Sequence, residues 1–117
     1  MDASMETSGA AAAPACSLIE SVMGVLGRAW AGAVVEAMLD GRERFTDISR
    51  AVPGVTDGVL SARLKELCAR GLAERTVAPG PPVSVTYRLT DAGRDLAPVL
   101  RAVRDYGGAH PEVLGER

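Results

Sequence analysis

Aromatic side chains are nearly missing from this chain: its 117 residues hold one Trp, two Tyr and one Phe, so any core must be aliphatic. Cysteine is as scarce. Cys16 and Cys68 are too few and too far apart for a disulfide scaffold, and no CxxC pair or Cys/His cluster has zinc-ligand spacing. The single histidine, His110, stands in the tail after two glycines. With no Ser/His/Asp order, no His–carboxylate pair at ligand spacing and no Gly-rich phosphate loop, the sequence offers no catalytic constellation, metal site or cofactor. No apolar run approaches the roughly 18 residues of a membrane span. The first fifteen residues, "MDASMETSGAAAAPA", lack the basic start and apolar stretch of a signal peptide. These absences together predict a cytoplasmic, non-enzymatic protein with no membrane contact.

Positive charge is also in short supply overall, with a net charge of −2 and Lys65 as the only lysine. Its distribution is uneven. Between Arg42 and Thr90 eight basic residues face five acidic ones, whereas the rest of the chain holds five against ten. A basic middle between acidic ends permits DNA binding there. The hydrophobic fraction, 47%, suffices for one small domain, and domains this small often recruit a second copy to bury more surface.

Periodicity divides the chain into elements. Residues 1–15 have no periodic apolar face and read as a disordered arm. In "SLIESVMGVLGRAW", Ser17 to Trp30, Leu18, Val22 and Leu26 recur every four residues, and Ser17 and Glu20 have capping-box spacing. A second helix from Ala31 to Leu39 carries Val34, Val35 and Met38 and should stop near Gly41. A short third helix, with Thr46 as its N-cap, ends before Pro53; Thr56 then caps "DGVLSARLKELCA", whose Leu60, Leu64 and Leu67 form one apolar stripe. Gly71 suits a left-handed C-terminal cap. The period then changes to two in "LAERTVA" and "VSVTYRL", joined by "PGPP", which reads as a hairpin. After Thr90, a helical pattern carries Leu96, Leu100 and Val103. Pro98 lies within it, where an interior proline costs about 3 kcal/mol and marks either a kink or the true helix start. The residues from 108 to 117 read as a loose tail.

The fold class is therefore mainly α with a small β-hairpin, a winged helix-turn-helix over residues 16–107. In that arrangement the helix after Thr56 would enter a major groove. Its outward residues are Gly58, Ser61, Ala62 and Lys65, and two of these have almost nothing to read with. Thr56, Ser61, Arg63 and Lys65 on the helix, and Arg44, Arg75 and Arg88 around it, are suited to holding phosphates; Asp57 would repel a phosphate, so it must point aside or accept from a cytosine amino group. Arg63 is equally spaced to brace the domain through Glu66 or Glu74. Leu18, Val22, Leu26, Leu96, Leu100 and Val103 give the two terminal helices more apolar surface than a small core can cover, which predicts a homodimer joined there.

The pieces "C-x-L-I-E" from Cys16, "GRAW" with Gly27 and Trp30, "RF-T-D-I", "P-G-V-T", "VLSARLKEL", "GLAERTV" and "Y-R-L-T-D-A-G" occur in an order and spacing that resemble the HxlR family of bacterial winged-helix regulators, relatives of the MarR regulators. The resemblance spans roughly Cys16 to Tyr106. It implies a homodimer that sets paired recognition helices on double-stranded operator DNA and answers oxidants, electrophiles or small aromatic molecules. It also implies that Cys16 matches an N-terminal cysteine some members use as a redox sensor, and that Met23 and Trp30 are candidates for an effector pocket. The chain departs from the family pattern at Asp57, Gly58 and Ala62, and has no basic residue from Ala78 to Thr86. An alternative therefore stays open: a winged-helix protein that binds a small molecule or partner and has lost operator recognition.

Overall fold

Leu60, Leu64 and Leu67 are all essentially inaccessible, and the rest of the core assembles around that stripe. The computed structural model describes residues 15–115. Its elements run α1 (Ala15–Leu26), α2 (Ala31–Leu39), α3 (Phe45–Ala51), α4 (Asp57–Ala69), β1 (Ala73–Ala78), β2 (Ser84–Leu89), α5 (Asp91–Arg94) and α6 (Ala97–Ala109), followed by a 3-10 turn at Pro111–Leu114. α2 is the central post: Val34 and Val35 are wholly buried and Ala37 and Met38 nearly so, against Ile48 of α3, the α4 leucines, Leu89 and Leu100. No aromatic residue is among the buried ones; Phe45 and Tyr87 pack at the edge.

β1 and β2 pair antiparallel with Ala73 opposite Leu89 and Ala78 opposite Ser84. A two-stranded ribbon is marginal alone. Here its base is anchored by buried Ala73 and Leu89, and the backbone N–H of Tyr87 donates to the carbonyl of Glu43 at 2.8 Å, tying the ribbon to the α2–α3 loop. At the far side the Thr90 hydroxyl donates to the Gly71 carbonyl at 2.7 Å and accepts from Gly93 N at 3.2 Å. Gly93 is required at that crossing, because a β-carbon there would stand 2.1 Å from the Leu72 carbonyl oxygen.

Three expectations from the sequence change, and one pair of alternatives is decided. The first helix ends at Leu26, not Trp30: Gly27 packs against the Met23 carbonyl, and Trp30 takes a left-handed backbone with φ 71°. α3 begins at Phe45, so its N-cap is Arg44 (φ −92°, ψ 148°), and Thr46 is already inside the helix. Of the two alternatives at Pro98 the second holds: the last helix begins there, and no kink is involved. The chain breaks into α5 and α6, and Pro98 occupies the first turn of α6, where its missing N–H would have had no helical acceptor. α6 continues through Ala109 and the 3-10 turn reaches Leu114, so the stretch after Gly107 keeps regular structure. The predicted arm falls almost entirely outside the described residues.

α1 meets this body at its end, where Leu26 packs against the core. Leu18, Ile19, Val22 and Met23 are between 44% and 58% exposed, although each is a core-type side chain. Among the described residues no single helix is long and apolar enough to cross a membrane.

Candidate nucleic-acid interface and apolar groove

Thr56 starts α4. Its backbone is extended (φ −83°, ψ 158°) and its Oγ1 accepts from the backbone N–H of Val59 at 3.2 Å, satisfying one of the first-turn donors. With the three leucines inward, Asp57, Gly58, Ser61, Ala62 and Lys65 are all exposed on the outer side. Ser61 and Lys65 sit one turn apart. Lys65 forms no ion pair among the described residues, and neither do Arg44, at the start of α3, and Arg75, on β1. A shallow depression of about 250 Å³ separates α3 from the start of α4, lined by Phe45, Thr46, Ser49, Arg50 and Asp57. Thr46, Ser49 and Arg50 therefore belong to the same outward surface. Sequence reasoning passed over them because α3 is too short to show a polar face by periodicity.

Two of the predicted contact residues are engaged elsewhere. The Arg63 side chain is only 12% exposed and turns inward, with Nη1 donating to Glu66 Oε1 at 2.9 Å; it braces the domain and does not present itself to a ligand. The cause is its position between Leu60 and Leu64, at the margin of the buried stripe. Arg88 Nε donates to Glu43 Oε2 at 3.0 Å, so its charge is balanced where the ribbon meets the α2–α3 loop. The ribbon tip, Pro79 to Val83, carries no charge; Val83 within it is 62% exposed and Val77, on β1, 48%.

On the opposite side, α1 and α6 enclose an open apolar groove of about 500 Å³. Leu18, Val22, Met23, Leu26, Val99 and Val103 provide most of its walls, and Leu100 its floor. Five of the six residues predicted for dimerisation, Leu18, Val22, Leu26, Leu100 and Val103, line it; Leu96 packs beneath, against the core. The two effector candidates separate. Met23 lines the groove, whereas Trp30 is not part of it and lies against Gly54, in the turn before α4. Cys16 is the second residue of α1 and its side chain lies outside the described residues. Cys68 is a free thiol beside the α4 stripe, and burial pushes its pKa up, with Arg75 acting against the shift and Glu74 with it. Such a thiol is a poor nucleophile. Among the described residues no group of His, Cys, Asp and Glu could hold a metal ion.

A short helix, a tight turn, a helix with one buried and one open face, and an antiparallel wing define a winged helix-turn-helix DNA-binding protein. The comparisons narrow this. A model of the HxlR-like helix-turn-helix family matches residues 25–113, and the chain belongs to that family as a transcriptional regulator of its type. YvaP of Bacillus subtilis (strain 168), an uncharacterised HTH-type transcriptional regulator, is 41% identical over 85 residues, which are 73% of this chain and 79% of YvaP. The reduced form of the redox regulator HypR superposes with a TM-score of 0.75 at 34% identity, covering 83% of this chain and 96% of that one. Quinone-bound YodB from B. subtilis gives 0.69 at 31% identity, covering 80% and 98%.

Proposed function

We propose that two copies of this chain join through the α1–α6 groove and lay their α4 helices in successive major grooves of an operator, as a cytoplasmic regulator that responds to an oxidant or a small aromatic molecule. The observation that carries the DNA reading is the division of α4: three leucines wholly buried on one side, and on the other an open face whose only cation, Lys65, is unpaired among the described residues. Ser61 and Lys65 hold phosphates along the groove wall, with Arg44 and Arg75 flanking them and Thr56 fixing the start of the helix. Asp57 either points aside or accepts from a cytosine amino group. The effector side rests on α1. Met23 faces the apolar groove, Cys16 is the second residue of the helix, and a structure of YodB contains bound quinone.

A salt titration tests the DNA reading. Binding to a random-sequence duplex by a dimer with several free cations should weaken steeply as salt rises. The second reading, a regulator scaffold that binds a small molecule or partner and no operator, draws on Ala62 and Asp57 on the open face and on the uncharged wing tip. Under it, duplex binding would be absent at 50 mM salt and there would be no slope to measure.

A further inference from the structure

The turn between α1 and α2, Gly27 to Trp30, touches the recognition helix at one place and the turn that leads into it at another. Arg28 Nη1 donates to Glu66 Oε2 at 3.3 Å, across 38 residues of sequence. Glu66 is the hub of a small cluster: its other oxygen accepts from Arg63 at 2.9 Å, and Arg70 Nε lies 3.7 Å from Oε2. Arg63 belongs to α4 and Arg70 is its C-cap, so Arg28 alone connects the cluster to another part of the fold. The second grip is Trp30. A β-carbon on Gly54 would stand 3.2 Å from Trp30 Cη2, which places the indole edge on the turn two residues ahead of the Thr56 cap. Gly54 has φ +98° and Trp30 is the only non-glycine described residue with positive φ, 71°. A bulky side chain holds that conformation only where its surroundings over-determine it.

We propose that Arg28 and Trp30 are positioning residues for DNA recognition: they fix the rotation and tilt of α4 from outside the helix-turn-helix. The inference rests on the DNA-binding reading above and adds to it. The packing beneath α4 is wholly apolar and contains no directional polar contact. Directional polar contacts supply the missing register. The open face has few base-reading groups, so its discrimination depends on their alignment. The grip also begins at the groove. Gly27 lines the groove and a β-carbon there would meet the Met23 carbonyl oxygen at 2.6 Å, so whatever fills the groove bears directly on the residue before Arg28.

The test uses full-length protein and two probes: a duplex selected by the wild type from a randomised 20-bp pool, and an unselected random-sequence duplex. Arg28→Ala should reduce the preference for the selected duplex about tenfold, leave the salt slope on the random duplex unchanged, and shift the emission of Trp30, the sole tryptophan, in the free protein. Arg28→Lys, which keeps a cation in reach of Glu66, should recover most of the preference. Arg70→Ala also removes a partner of Glu66, but one at the C-cap of α4 that ties the helix to no other segment, and should leave the preference intact. Should Arg28→Ala lose its helical circular dichroism, Arg28→Gln carries the same comparison. The proposal is overturned if the Arg28 variant keeps the wild-type preference, if the Arg70 variant loses as much, or if both duplexes weaken equally with the slope lower by about one, the mark of a direct phosphate contact. A wild type that binds neither duplex overturns the DNA-binding reading and this proposal with it; a binding wild type with an unaltered Arg28 variant overturns this proposal alone.

Discussion

Val22→Asp is the sharpest probe of the proposed dimer. Val22 is 44% exposed in the single chain and lines the groove without belonging to the core, so the substitution should leave the protomer folded. A fully buried valine contributes on the order of 1.5–3 kcal/mol relative to an exposed one. Less than half of this side chain is still open, so covering it with a second copy is worth about 1 kcal/mol. An aspartate in the same place loses that term and forces a carboxylate into an apolar seam. Protonation limits the penalty to a few kcal/mol, which adds to the lost burial. A two-fold interface repeats the change on both sides. The total comes to roughly 4–6 kcal/mol, enough to raise the dimer dissociation constant by about a thousandfold or more.

Sedimentation velocity between about 1 and 100 μM protein reads this directly: wild type as a dimer throughout, Val22→Asp as a monomer with wild-type circular dichroism. The DNA slope gives a second reading, because a monomer carries half the cations and should show about half the salt dependence. A Val22→Asp variant that sediments as a dimer would refute the placement of the interface. A monomeric wild type would refute the dimer itself, and with it the paired half-sites.

Three further substitutions separate other parts of the account. Lys65→Ala should weaken binding to every duplex alike and lower the salt slope by about one, measured by fluorescence anisotropy; an unchanged slope means that α4 does not dock by its open face. Glu66→Gln leaves Arg63, 12% exposed, without its counter-charge, and should cost about 2 kcal/mol, a fall in thermal midpoint of about 10 °C by circular dichroism. A shift below about 2 °C would show the cluster to be energetically idle. Diamide or a quinone should modify Cys16 ahead of Cys68, whose thiol burial holds protonated, and Cys16→Ser should abolish any effect of the reagent on DNA affinity; mass spectrometry finding Cys68 modified first would sink that assignment.

The elements that sequence reading located well are those whose signal is local. Leu60, Leu64 and Leu67 repeat at helical spacing and are buried, and Thr56 has the side chain and position of an N-cap and behaves as one. The wing was legible because its period of two begins just after Gly71 and ends at Thr90, which turns the chain into α5. The misplacements have equally local causes. Thr46 is a good capping residue, but burying part of Phe45 against the core starts α3 two residues earlier. Arg63 follows the polar pattern of a helix surface, yet at the margin of the leucine stripe its guanidinium finds Glu66 and folds inward. The Arg28–Glu66 and Trp30–Gly54 contacts had no sequence signal, since each joins segments that only the tertiary fold brings together.

The open face of α4 also limits how recognition can work. A well-placed bidentate contact to a base discriminates by about 1–3 kcal/mol, and the side chains that make such contacts most often are Arg, Asn and Gln. None of these is on the outward face between Asp57 and Lys65, where the polar groups are one carboxylate, one hydroxyl and one ammonium. The wing tip, without charge, adds no arginine to a narrow minor groove. On the DNA-binding reading, affinity then comes from phosphate contacts, and selectivity comes from the spacing of two half-sites and from how readily a given duplex takes the shape the dimer imposes. Both depend on the pose of the protein more than on the identity of any reading residue. In the proposed dimer that would place the weight of specificity on the α1–α6 groove, which would set the distance between the two recognition helices, and on the Gly27–Trp30 turn, which would set the tilt of each.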